Sequence, residues 1–130
     1  MDKDYSEWNK KKKELNSLKT RPDFHSRDIW LCHLGLNIGD EQDGLANDDF
    51  IRPVVIVRKF NSNLCSVIPL TRTVKDSPYY FQFSFIENEI SSAILSQHRP
   101  IDSKRLRKKI GFISKGNFRQ LTEKLKALIP

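Results

Sequence analysis

The sequence predicts a mainly β protein with a helix at each end, folded as a small, strongly bent barrel. Short apolar runs rich in Val, Ile, Phe and Tyr recur through residues 28–101, each bounded by Gly, Pro, Asn or Ser. Apolar residues at helical spacing occur at the two ends of the chain. At 130 residues the chain holds one core and has little to spare for a second. Many short strands with terminal helices describe such a barrel.

Taken in order, Tyr5, Trp8, Leu15 and Leu18 form a helical stripe with Lys10 to Lys13 mostly outside it, so a helix is expected over 4–19. Thr20-Arg21-Pro22 ends it, because a residue before proline disfavours the α region. Residues 1–25 then form a basic N-terminal helical extension, and 26–130 the main domain. Strands are expected at Asp28–Leu34, Arg52–Lys59, Leu64–Leu70, Tyr79–Phe85, Ser92–Leu95 and around Gln97–Ile101. Asn61-Ser62-Asn63-Leu64 reads as the turn of a hairpin joining the second and third. Ser114 can cap a closing helix whose stripe is Phe118, Leu121, Leu125 and Leu128.

Composition narrows the function classes. No run of about 18 apolar residues exists, so no membrane segment is expected. The start of the chain lacks the apolar stretch of a secretory signal, which leads us to expect a cytoplasmic location. Cys32 and Cys65 sit in apolar strand patterns without a CxxC pair, and the chain has only three histidines. That argues against a zinc site and for two reduced, buried thiols. The net charge is +7, and twelve of the 23 basic residues fall after Leu70 against five of the 16 acidic ones. They are densest at Lys104-Arg105-Leu106-Arg107-Lys108-Lys109. Such a cluster either attracts a polyanion through phosphate contacts or is a solvated basic turn.

The most informative stretch is Gly39-Asp40-Glu41-Gln42-Asp43-Gly44, a polar loop followed by Arg52-Pro53 and the apolar run Val54-Val55-Ile56-Val57. The next strand ends in Thr71. A guanidinium and a hydroxyl are thus expected at the ends of neighbouring strands, a geometry suited to a phosphodiester. Each residue also has a plainer reading. Arg52 can pair with Asp48 or Asp49, Thr71 is a common turn residue, and Asp40 and Glu41 can be a solvated loop. His33 shares a strand face with Ile29 and Leu31 and is expected to be partly buried rather than catalytic.

Five blocks in order resemble the MazF/PemK family of toxins from bacterial toxin–antitoxin pairs. They are Asp28-Ile-Trp-Leu, the Gly39–Gly44 loop, Arg52-Pro-Val-Val-Ile-Val, Val67-Ile-Pro-Leu-Thr71, and Ser96-Gln-His-Arg-Pro-Ile-Asp-Ser-Lys-Arg-Leu106. The resemblance implies an SH3-like barrel with a C-terminal helix, usually a homodimer, that cuts single-stranded RNA at short sequences without metal or cofactor. By position, Arg52 and Thr71 match the family's catalytic arginine and threonine. The Glu41-Gln42 loop and Gln97 match positions that contact RNA. Asp40, Gln42, Gln97, His98, Arg99 and Arg72 are the expected RNA-binding residues, and a cognate antitoxin is the expected protein partner.

Without a metal, the ribose 2′-OH must attack the adjacent phosphorus, and charge builds on the non-bridging oxygens. A planar cation with fixed donors stabilises that charge. Arg52 fits this role but is a poor proton carrier. Thr71 can donate to the same oxygens, and Glu41 or Asp40 is the candidate base. The chain departs from the family pattern in three places. The segment from Gly44 to Arg52 is long, and with Asp48 and Asp49 the loop collects five carboxylates. Ile94 and Ser96 stand where another branch places a catalytic arginine and aspartate. The helix over 4–19 is an addition, expected to pack on the barrel. Two readings from other classes stay open: a non-catalytic RNA- or protein-binding module, and a gyrase-poisoning toxin of CcdB type acting through its C-terminal helix.

Overall fold

The computed structural model describes residues 5–16, 21–34 and 51–130. In chain order these form α1 (Tyr5–Asn16), β1 (Asp28–His33), β2 (Ile51–Lys59), β3 (Leu64–Thr71), β4 (Tyr80–Phe83) and β5 (Ser91–Ile94). A 3-10 turn at Leu95–Gln97 leads to β6 (Arg99–Asp102), and a second at Ser103–Arg105 leads to β7 (Leu106–Phe112) and α2 (Lys115–Ala127). The described strands form one antiparallel sheet in the order β4-β5-β3-β2-β1-β7, with β6 also on β3. This is the expected small SH3-like barrel with a helix at each end.

β3 makes the bend. One of its edges pairs with β2; along the other, Leu64 to Val67 pair with β6 and Leu70 and Thr71 pair with β5. Register shifts in β2–β3 and twice in β1–β7 add the local twist that curls a sheet. Both faces of the central strands are buried, which is why Val54, Val55 and Ile56 run together without polar alternation. Val55 and Ile68 pack with Leu121 and Leu125 of α2, whereas Val54, Ile56, Cys65 and Val67 pack with Phe24, Trp30 and Leu106.

Local chemistry fixes the ends of these elements. The Asn61 side chain accepts from the amides of Asn63 (2.7 Å) and Leu64 (3.0 Å), which makes the expected β2–β3 turn. Ser114 Oγ accepts from the Asn117 amide at 3.2 Å and caps α2, whose Phe118 and Leu128 complete the anticipated stripe. Asp28 is buried at the start of β1, and three donors satisfy its carboxylate: the His25 amide (2.9 Å), Trp30 Nε1 (3.3 Å) and Lys109 Nζ (3.1 Å). α1 lies against the Ser103–Arg105 turn, with Trp8 only 5% exposed and the Arg105 guanidinium 5.5 Å from its ring centre.

Two expectations change. The basic run, read as a polyanion-binding cluster or a solvated turn, is not a turn from Leu106 on: Arg107, Lys108 and Lys109 are exposed on a strand, β7, paired along β1. His33 is buried rather than partly so, because neither face of β1 is open there. Cys32 and Cys65 are buried free thiols, as anticipated. No helix among the described residues is long and apolar enough to cross a membrane.

Candidate functional site

The β2–β3 pair carries the site. Its register joins Val54 to Pro69, Val55 to Ile68 and Ile56 to Val67. Arg52 and Thr71 each lie two residues beyond the Val54–Pro69 rung, at the neighbouring ends of the two strands. Both residues are half-buried and line one cleft of about 740 Å³, whose floor is apolar (Leu31, Ile51, Pro53, Leu70). A polar rim on an apolar floor is the usual make-up of a ligand cleft.

Thr71 Oγ accepts from the Thr73 amide at 3.2 Å. That bond uses the oxygen as acceptor and leaves the hydroxyl proton for donation. Arg72 also lines the cleft; it is largely exposed and stands 4.0 Å from the Glu89 carboxylate on the β4–β5 connection. Gln97, His98 and Arg99 fall elsewhere. They sit at the turn into β6, with Gln97 and Arg99 half-buried and His98 exposed, its Nδ1 3.2 Å from the Leu95 carbonyl. Asp40, Glu41, Gln42 and the rest of the expected acidic loop lie outside the described residues. The structure therefore joins Arg52, Thr71 and Arg72 in one cleft and places Arg99 opposite Val67 of β3, with Gln97 and His98 in the turn before it.

The cleft also contains residues absent from the sequence-based set. Arg107 reaches it from β7, and Phe85 and Ile86 form a wall. Leu106, Ile110 and Phe112 were the available signal for β7, an alternation that Lys108 interrupts. Phe85 takes its place because Gly111 has no side chain: a Cβ there would stand 2.8 Å from Phe85 Cδ2.

Behind the cleft the charges are arranged around buried Cys32, which pairs with Arg52 in β1–β2 and with Leu106 in β1–β7. Burial pushes the Cys32 thiol up to about 12, although Arg105 and Arg99 both act to lower it. Burial also brings Arg105 below its ordinary value, and Arg99 adds to this. A guanidinium remains charged under such a shift. Arg99 and Arg105 thus lie within electrostatic reach of one another on the side of the sheet that carries Cys32. Among the described residues no group of three or more His, Cys, Asp and Glu is placed to hold a metal ion.

No curated protein matches the sequence significantly. Solved structures do match in fold. The MazF of Deinococcus radiodurans is similar at TM-score 0.67 and 18% identity, over 85% of this chain and 98% of that one. An endoribonuclease from a mycobacterial species, solved with its cognate antitoxin, is similar at TM-score 0.63 and 14% identity, over 83% and 98%. The Mycobacterium tuberculosis toxin MazF-mt6 is similar at TM-score 0.60 and 20% identity, over 78% and 94%. The family model described as PemK-like, MazF-like toxin of type II toxin–antitoxin systems matches residues 25–129, and the chain belongs to that family.

Proposed function

We propose that this protein is an endoribonuclease, the toxin of a type II toxin–antitoxin pair, which cleaves single-stranded RNA in the Arg52–Thr71 cleft without a metal. The observation that carries this reading is the shared cleft: a fixed cation and a hydroxyl donor on adjacent strand ends.

In the reaction the 2′-oxygen forms a bond to phosphorus and the bond from phosphorus to the 5′-oxygen breaks. The products are a 2′,3′-cyclic phosphate and a 5′-hydroxyl. The proton of the 2′-OH leaves to a base, and the departing 5′-oxygen takes up a proton. Arg52 presents several donors in a rigid fork to the non-bridging oxygens as their charge grows. Thr71 donates a further hydrogen bond and holds the phosphate in line. Glu41, or Asp40, is the proposed base. Arg72 and Arg107 draw the flanking phosphates, and Gln42, Gln97, His98 and Arg99 contact the strand beyond.

The partners follow from the same chemistry. A groove that accepts an extended anionic strand is readily blocked by an extended acidic peptide, and this is the action we assign to an antitoxin. Two of the similar structures are a mycobacterial endoribonuclease with its antitoxin and a MazE–MazF complex. By family likeness the active species is a cytoplasmic homodimer.

The test is incubation of the purified protein with a long single-stranded RNA in EDTA, followed by analysis of the fragment ends. Cuts at a few sites, with cyclic phosphate and 5′-hydroxyl ends, support the reading. Intact RNA together with inhibited DNA supercoiling would replace it with gyrase poisoning.

A further inference from the structure

A second cleft, of about 560 Å³, lies where α1 meets the Ser103–Arg105 turn. Lys12, Lys13, Lys104 and Arg105 line it, and among the described lining residues Asp102 is the acidic one. That carboxylate is already engaged, by the Arg21 guanidinium and by the Lys104 amide at 2.9 Å. Burial pushes Asp102 upward, but those two donors outweigh it and hold the group ionised below its ordinary range. Lys12, Lys13, Lys104 and Arg105 thus line the cleft beside a carboxylate that Arg21 already engages.

The helix is seated so that its lysines reach this cleft. Trp8 is buried beneath Arg105, and Lys12 lies one turn further on the same helix face. Arg21 also donates to Ser103 Oγ at 3.1 Å and so fastens the segment after α1 to the same turn. Two positions along the chain from Arg105, Arg107 lines the Arg52–Thr71 cleft. In extended chain that separation is about 7 Å. One short stretch therefore presents a cation to each cleft.

We propose that the α1 cleft is a phosphate-binding subsite that holds the RNA strand beyond the Arg52–Thr71 cleft. The proposal rests on the ribonuclease reading of that cleft for its ligand. It assigns the N-terminal helix, which lies outside the residues matched by the family model, to substrate grip. The closeness of Arg105 to Arg107, which lines the Arg52–Thr71 cleft, favours a nucleic acid strand over an acidic protein as the occupant.

The test uses the full chain and 2′-O-methyl RNA, which cannot be cleaved by 2′-oxygen attack. Two labelled lengths are titrated by fluorescence anisotropy: one that fills the Arg52–Thr71 cleft alone and one that extends well beyond it. The protein should bind the long strand more tightly. In Lys12→Ala/Lys13→Ala that advantage should fall several-fold, and the salt dependence of log Kd should flatten by about 1.4, at about 0.7 per phosphate contact. Trp8→Ala should lose the same advantage with both lysines present, because the helix is no longer seated. The exposed α2 pair Lys115→Ala/Lys126→Ala removes equal charge and should keep the wild-type behaviour.

Wild-type binding of long RNA by Lys12→Ala/Lys13→Ala would overturn the subsite, as would an equal loss in the α2 pair. Binding of polyglutamate that depends on Lys12 and Lys13, without such dependence for RNA, would replace it with a protein-docking surface. Cleavage of unmodified RNA is read separately. Cleavage without lysine dependence removes the subsite alone; lysine-dependent binding without cleavage removes only the nuclease.

Discussion

Arg52 near the start of β2 and Thr71 at the end of β3 line the same cleft, each two residues beyond the Val54–Pro69 rung. A guanidinium and a hydroxyl so rooted can reach the same phosphate from two directions. Thr71 comes with its acceptor already used by the Thr73 amide. The pair needs no ligand to be assembled, which is how a site lowers a barrier by preorganisation.

The first expectation concerns what each group contributes. Arg52→Ala should lower single-turnover cleavage by about 10²- to 10³-fold, about 3 kcal/mol of transition-state stabilisation. Arg52→Lys should restore only part of it, since an ammonium is a point charge without the planar fork. Thr71→Ser keeps both the donor and the bond from Thr73 and should stay near wild type. Thr71→Val loses both and should fall with Arg52→Ala. Full activity in Arg52→Ala would place the chemistry elsewhere.

A packing constraint shapes the wall of the cleft. Gly111 of β7 lies against the Phe85 ring, and an added methyl would sit 2.8 Å from Cδ2, too close without movement of the ring. Phe85 is half-buried and packs on the core through Phe83, 6.1 Å away between ring centres. It cannot move without cost. Gly111→Ala should destabilise by about 1–3 kcal/mol in urea denaturation, the usual penalty of overpacking. Trimming the ring in Gly111→Ala/Phe85→Leu should recover part of that loss. Additive losses in the double variant would show that the two residues do not collide.

How far the sequence foretells this architecture depends on where the determining forces act. β2 and β3 are legible because burial on both faces writes a continuous apolar run, and the Asn61 turn marks their junction. Arg52 and Thr71 are legible as polar residues at the ends of those runs. β7 is not. Arg107, Lys108 and Lys109 read equally as a polyanion-binding cluster or a solvated turn, because their strand conformation comes from pairing with β1 and from Lys109 reaching the buried Asp28. Both are contacts more than 70 residues distant in sequence. Arg107 was missed as a cleft residue for the same reason. The need for glycine at 111 comes from the Phe85 ring lying on it, a contact between distant segments that the local sequence does not mark.

Alkaline conditions should expose the two thiols. Burial pushes Cys32 up to about 12 and Cys65 up to about 11, from an ordinary value of 9.0. The folded protein therefore keeps both protons while the unfolded chain loses them above about pH 9. This stabilising contribution is whole below that point and declines as pH rises toward 11 and 12. The decline is at most about 1.4 kcal/mol per pH unit for each thiol. Urea midpoints of the wild type should fall between about pH 8 and 10.5, and Cys32→Ala should fall less steeply whatever its starting stability. Equal slopes would mean that Cys32 is solvated. Ellman's reagent at neutral pH should label neither thiol before unfolding.

Ser92 sits next to the proposed chemistry and pairs with Thr71 across β3 and β5. It is fully buried, and its hydroxyl has no hydrogen-bond partner among the described residues. A buried hydroxyl without a partner costs about 1–3 kcal/mol, because it gives up its bonds to water and receives nothing in return. Ser92→Ala removes that hydroxyl and one heavy atom, so the hole it leaves is small. The variant should gain about 1 kcal/mol in urea denaturation, with a rise of a few degrees in the thermal midpoint. The backbone rungs to Leu70 and Thr71 are untouched, so Thr71 should keep its position and the Thr73 amide its acceptor. A loss of stability would show that the hydroxyl is bonded in solution. A gain in stability paired with slower cleavage would show that the fold retains this unmet group for the benefit of Thr71.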